Sequence, residues 1–67
     1  MERIKEALYG RFWTRFYEML DAIEVAGYYV DFATEEFIEI SNDDDEHFLL
    51  YIDQTGNTLW ISRAKAA

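Results

Sequence analysis

Sixty-seven residues allow one domain and no large core, since a chain of this size buries only about 60% of its unfolded surface. Cysteine is absent, which excludes disulfide staples and cysteine-based metal sites. Apolar packing must therefore carry the fold, and 51% hydrophobic with 18% aromatic content supplies it while excluding a disordered acidic tail.

The net charge of −8 is unevenly spread. Residues 1–15 carry Arg3, Lys5, Arg11 and Arg15 against Glu2 and Glu6. Residues 16–62 carry twelve acids and no Lys or Arg, and Arg63 and Lys65 follow at the end. A 47-residue stretch without a cation repels phosphate, so nucleic acid and anionic membranes are poor direct partners. Cations and basic protein surfaces are attracted instead. No apolar run approaches the ~18 residues that span a bilayer, and the charged start "MERIKE" leads into no signal-like core. A cytoplasmic protein is expected.

In chain order, the first element expected is one amphipathic helix over about residues 2–26. Ile4, Leu8, Phe12, Phe16, Met19, Leu20 and Ile23 recur at three- and four-residue steps, with Arg3, Thr14, Glu18 and Asp21 opposite. Tyr9, Trp13 and Tyr17 form a flanking stripe. Gly10 falls on the polar side, where it costs about 1 kcal/mol relative to Ala, and Gly27 is a natural helix stop.

After Gly27 the period changes to two, which predicts strands over about 28–33, 37–41, 47–53 and 58–62. "ATEE", "NDDDE" and the glycine-containing "QTGN" connect them. The expected fold is α+β, a single domain over 1–67 with one long N-terminal helix on a three- to four-stranded antiparallel meander. A single helix covers one sheet face. If that face takes Ile38, Ile40, Phe48, Leu50, Ile52, Leu59 and Ile61, the other shows Phe37, Leu49, Tyr51 and Trp60, a candidate interface. A dimer mate is one way to cover it.

Enzymatic chemistry finds no support. Nucleophile–base pairs would have to combine His47 with Ser41 or Ser62, and neither serine sits in a nucleophile elbow. An EF-hand loop from Asp43 would need glycine and glutamate where Phe48 and Gln54 stand. One histidine is too few nitrogen ligands for a zinc site. "NDDDE" reads as a solvated turn, with weak hydrated binding of Ca²⁺, Mg²⁺ or Fe²⁺ left open; no cofactor is expected.

The favoured function is a non-enzymatic module that docks on a basic protein surface, such as the nucleic-acid-binding site of a target, and blocks it. Glu18, Asp21 and Glu24 supply charge from the helix. Glu35, Glu36, Glu39, Asp43, Asp44, Asp45 and Glu46 supply it from the sheet and its turns. Tyr51 and Trp60 are the apolar anchors, since charge contributes on-rate and orientation more than affinity. As a class, very small, cysteine-free, acidic domains are similar to the phage inhibitors that mimic nucleic acid, anti-CRISPR proteins among them.

The stretch "YIDQTGNTLWIS" also resembles a motif of frataxin, of the form "NKQTPNRQIWLS". The matching residues are Gln54, Thr55, Asn57, Leu59, Trp60, Ile61 and Ser62, with Gly56 at the family's proline and Asp53 where a lysine is usual. The resemblance covers residues 16–62 and implies an iron-binding protein of iron–sulfur cluster assembly. Glu18, Asp21, Glu24, Asp31 and Glu35 would then be the acidic ridge, and Trp60 the exposed tryptophan that meets the scaffold. A frataxin continues through further strands to a second helix, where this sequence stops at "RAKAA". The third alternative is a structural homodimer burying Trp60.

Overall fold

The computed structural model describes residues 2–67. Met1 and the side chains of Glu2 and Arg3 lie outside it, and with them the expected outward placement of Arg3. The elements are α1 (Glu2–Leu8), α2 (Phe16–Val25), β1 (Tyr29–Ala33), β2 (Phe37–Ser41), β3 (His47–Thr55) and β4 (Thr58–Ala66). All four strands form one antiparallel sheet in the order β1-β2-β3-β4, the meander that the alternation predicts.

The expected single helix over 2–26 is instead two short helices. Gly10, read from the sequence as a tolerated weak point, adopts φ +80° and ends α1. An L side chain resists that left-handed conformation, and glycine does not. The chain stays out of the helix as far as Arg15, which caps α2 with an extended backbone at φ −131° and ψ 140°. Along the way Trp13 pairs with Leu59 as an isolated antiparallel bridge on the outer edge of β4.

Strand-like alternation therefore replaces helical periodicity over this stretch. Trp13 turns into the core at 6% exposure, while Phe12, expected in the core, is 66% exposed. Phe12 lies edge-on to Trp60 with ring centroids 6.0 Å apart. The expected stripe dissolves too: Tyr9 is half-buried, Trp13 is core, and Tyr17 is exposed.

Gly27 does stop α2, as expected. At φ +98° its N–H donates to the Glu24 carbonyl at 3.0 Å, and the Tyr28 N–H donates to the Ile23 carbonyl at 3.3 Å. These are the two bonds of a Schellman cap, and Tyr28 and Ile23 are both buried across it.

Between the helices and the sheet lies the core. Ile4, Leu8, Met19, Ile23, Ile38, Ile40 and Leu50 have essentially no exposed surface. All seven residues predicted for the inner face of the sheet are buried. Tyr28 and Phe48 add an edge-to-face ring pair at 6.1 Å.

The strand ends differ from expectation chiefly at the last hairpin. β3 runs to Thr55 and β4 to Ala66, joined through Gly56 and Asn57 with Thr55 opposite Thr58. Gly56 has φ +60° at the first central position, where a type II′ hairpin requires it. Two bulges shape the margins. Asp31 is the extra residue in β1, and Ser62 is the extra residue in β4, donating from Oγ to the Tyr51 carbonyl at 3.2 Å. Among the described residues no helix is long and apolar enough to cross a membrane.

Candidate docking surfaces

The acidic residues singled out from the sequence fall into three separate places. Glu18, Asp21 and Glu24 stand along α2 and line a groove of about 730 Å³. Glu35 and Glu36 sit in the β1–β2 turn, beside the β3–β4 hairpin; Glu35 faces Gln54 and Asn57 across a small cleft of about 180 Å³. Asp43, Asp44, Asp45 and Glu46 form the β2–β3 turn at the opposite end of the sheet. Glu39 lies between these ends, exposed on β2. No single acidic surface gathers them all.

The β2–β3 turn is built from its own side chains. Asn42 Oδ1 accepts from the N–H groups of Asp44 and Glu46, both at 3.0 Å, and its amide donates to Glu46 Oε1 at 2.9 Å. Asp45 takes the left-handed conformation, φ +61°, which Asn and Asp tolerate better than other residues with a side chain. Tyr29 donates its hydroxyl to Asp43, and this raises the Tyr29 pKa because the bonded phenol faces a carboxylate.

His47 stands between Asp45 and Asp31. Its Nε2 is 3.2 Å from Asp45 Oδ1 and its Nδ1 is 3.8 Å from Asp31 Oδ2. Ser41 Oγ donates to Asp31 Oδ1 at 3.2 Å. Among the described residues no three acidic or histidine side chains gather closely enough to hold a metal ion.

The groove along α2 joins acid to aromatic surface. Beside the three carboxylates it is lined by Trp13, Tyr17 and Leu20, and by Val25, which is 81% exposed. Arg11 lines it too, with its guanidinium carbon 5.3 Å from the centre of the Trp13 ring. The sequence places Trp13 on a helix flank and counts Arg11 only among the charges. Only the break at Gly10 brings them to this groove, and "YGRFW" carries that signal in its glycine alone.

Tyr51 and Trp60, the expected anchors, lie on the outer face of the sheet, away from the groove. Register places Phe37, Tyr51 and Arg63 in one cross-strand row, and Phe32, Glu39, Leu49 and Lys65 in the next. Phe32 and Tyr29 are 52% and 57% exposed on this face, and Phe32 meets Phe37 at 5.9 Å. Arg63 and Lys65 lie over the Tyr51 ring at 4.3 and 5.7 Å. They lower the Tyr51 pKa, chiefly through the hydrogen bond with Lys65, against an opposing effect of burial. The surroundings of Tyr51 are therefore basic, whereas the sequence suggests an acidic one.

No protein-family model, curated protein or solved structure matches this chain.

Proposed function

We propose that this chain is a small, non-enzymatic module that docks on a basic protein surface and occludes it, the nucleic-acid-binding face of a target being the surface whose chemistry fits. One observation carries the reading. Along α2, Glu18, Asp21 and Glu24 surround an aromatic and aliphatic groove in which a guanidinium already rests on Trp13.

Trp13 is itself part of the core and already covered by Arg11, so the exposed ring of Tyr17 beside it is the face open to an arginine from a partner, by the same attraction between cation and π-face. The carboxylates then orient the incoming cations, and Tyr17, Leu20 and Val25 offer the apolar contact that gives a charged encounter its lifetime. Proteins that hold phosphate backbones carry such rows of Lys and Arg, and an acidic competitor acts on the same groups. The turn carboxylates at the two ends of the sheet add long-range attraction and no contact of their own.

The test is titration with an arginine-rich peptide, following backbone amide shifts. Saturable shifts at Glu18, Asp21 and Glu24 that weaken with salt are expected. The triple variant Glu18→Gln, Asp21→Asn, Glu24→Gln should lower affinity by at least about tenfold. Neutralising Asp43, Asp44 and Asp45 to Asn should cost much less. If the α2 triple variant binds as well as the parent, the reading fails.

A further inference from the structure

We infer that the outer face of the sheet is a self-association surface, and that its occupant is a second copy of this chain related by a two-fold axis running along the strands. The inference stands apart from the α2 groove, which lies elsewhere on the molecule.

The face is strongly apolar for so small a protein. Tyr29, Phe32, Phe37, Leu49, Tyr51 and Trp60 all project from it, and Phe12 extends it past the edge of β4. A contiguous aromatic surface of this kind marks an interface. The four strands, ~4.8 Å apart and ~25 Å long, cover on the order of 450 Å² in plane. The rings that stand off that plane enlarge the accessible area toward the ~800 Å² per partner of a standard interface.

Charge identifies the occupant. The chain is acidic, yet the cations of this face are all on one side of it: Arg63 and Lys65 lie on β4, Asp31 and Glu39 lie on β1 and β2, and Asp53 on β3 stands beside Trp60 toward the β3–β4 hairpin. A face whose cations stand on one side, with acids across from them, complements itself when rotated.

Two ways of stacking the face on its copy preserve two-fold symmetry and keep the strands aligned. An axis across the strands lays β4 on β4 and sets cations against cations. An axis along the strands lays β4 on β1 and β3 on β2. That arrangement keeps each cross-strand row at its own level. Lys65 of one copy then lies over Phe32 of the other, within one strand spacing of its Glu39. Tyr51 lies over Phe37. Arg63 approaches the β1–β2 turn that carries Glu36. Like-charge contact disfavours the first arrangement, and opposite charge selects the second.

The test is sedimentation equilibrium of the full chain over a wide dilution series, with no partner added. The parent should pass from twice 8.0 kDa toward 8.0 kDa as it is diluted. Glu39→Lys and Lys65→Glu, each at an exposed position, should separately weaken association by at least about tenfold, because each sets like charges together twice in a symmetric pair. An equimolar mixture of the two variants should recover the parent's association, since each hetero pair regains both opposite-sign contacts.

Recovery also shows that both variants are folded. Should either reversal disturb the far-ultraviolet circular dichroism, Glu39→Gln and Lys65→Gln replace them, and each should weaken association on its own. The inference is overturned by a parent that stays at 8.0 kDa throughout, by folded single variants that associate as well as the parent, or by a mixture of folded reversal variants that does not recover. Failure here leaves peptide binding at the α2 groove untouched, and the converse holds.

Discussion

Trp13 and Leu59 exchange both backbone hydrogen bonds, at 2.9 Å from the Trp13 N–H to the Leu59 carbonyl and 2.7 Å in return. This one bridge decides how the first third of the chain is arranged. It holds residues 9–15 out of the helix, sends Trp13 into the core, and puts Phe12 on the other side of β4 beside Trp60.

The core and the surface exchange roles at positions 12 and 13, so their truncations should rank accordingly. Trp13→Ala should cost about 3–5 kcal/mol, as buried Trp truncations do. That is comparable to the roughly 3–10 kcal/mol expected for the whole chain. Phe12→Ala should cost under about 1 kcal/mol. Urea midpoints of the two variants check the order, and a continuous helix through residue 12 would reverse it.

Gly10→Ala separates the same two arrangements by sign. In a helix interior it would stabilise by about 1 kcal/mol. At φ +80° it should instead destabilise by about 1–2 kcal/mol. A Cβ at Gly10 meets nothing within 4 Å, so the cost is conformational and not a clash. Equilibrium denaturation of the single variant decides.

In the β2–β3 turn, Asn42→Ala removes the acceptor shared by the Asp44 and Glu46 amides and should cost about 1 kcal/mol. Asp45→Gly relieves the left-handed strain at φ +61° and should be neutral or stabilising by a few tenths of a kcal/mol. The thermal midpoint should fall for Asn42→Ala and should hold or rise slightly for Asp45→Gly.

Tyr51 and Tyr29 should titrate apart. Lys65 and Arg63 hold the Tyr51 phenol below its ordinary value, and Asp43 holds Tyr29 above it. The signs of their linkage to stability follow. Tyr51, with a lowered folded pKa, adds stability as pH rises through that value toward 10, its unfolded value, and loses it as pH falls back. Tyr29, with a raised folded pKa, adds stability that is complete below 10 and is lost as pH rises through the folded value. In phenolate absorbance titrations, Tyr51→Phe should remove the earliest phase and Tyr29→Phe the latest.

Much of the sheet was legible because period-two alternation survives any local context. β2 falls on its expected residues, and all seven inner-face residues are buried. The helix was misread for a physical reason. Ile4, Leu8, Phe16, Met19 and Ile23 keep helical spacing across a break, so the period continues where the hydrogen bonds do not. Gly10 was the sole local warning, and the break it makes is held by the pairing of Trp13 with Leu59, 46 positions further along than Trp13.

The end of β4 was missed because "RAKA" has no β-branched or aromatic residue. Register with β3 carries it, with Ala64 and Ala66 turned inward and Arg63 and Lys65 outward. Charge counted along the sequence therefore misleads at Tyr51. The stretch without a cation folds back against the two cations that follow it.

The margins of the sheet have a consequence for the chain in a crowded cell. An open β-edge is a template on which further strands add, and this sheet has two. At β1 the extra residue Asp31 interrupts the ladder and places a carboxylate there. At β4 the residue-13 bridge occupies the edge at Leu59, and Arg63 and Lys65 stand along the remainder. Each margin carries both an irregularity and a charge, which oppose strand-by-strand growth into fibrils. A chain that is half hydrophobic and holds no disulfide is thereby protected against polymerising through its own sheet edges.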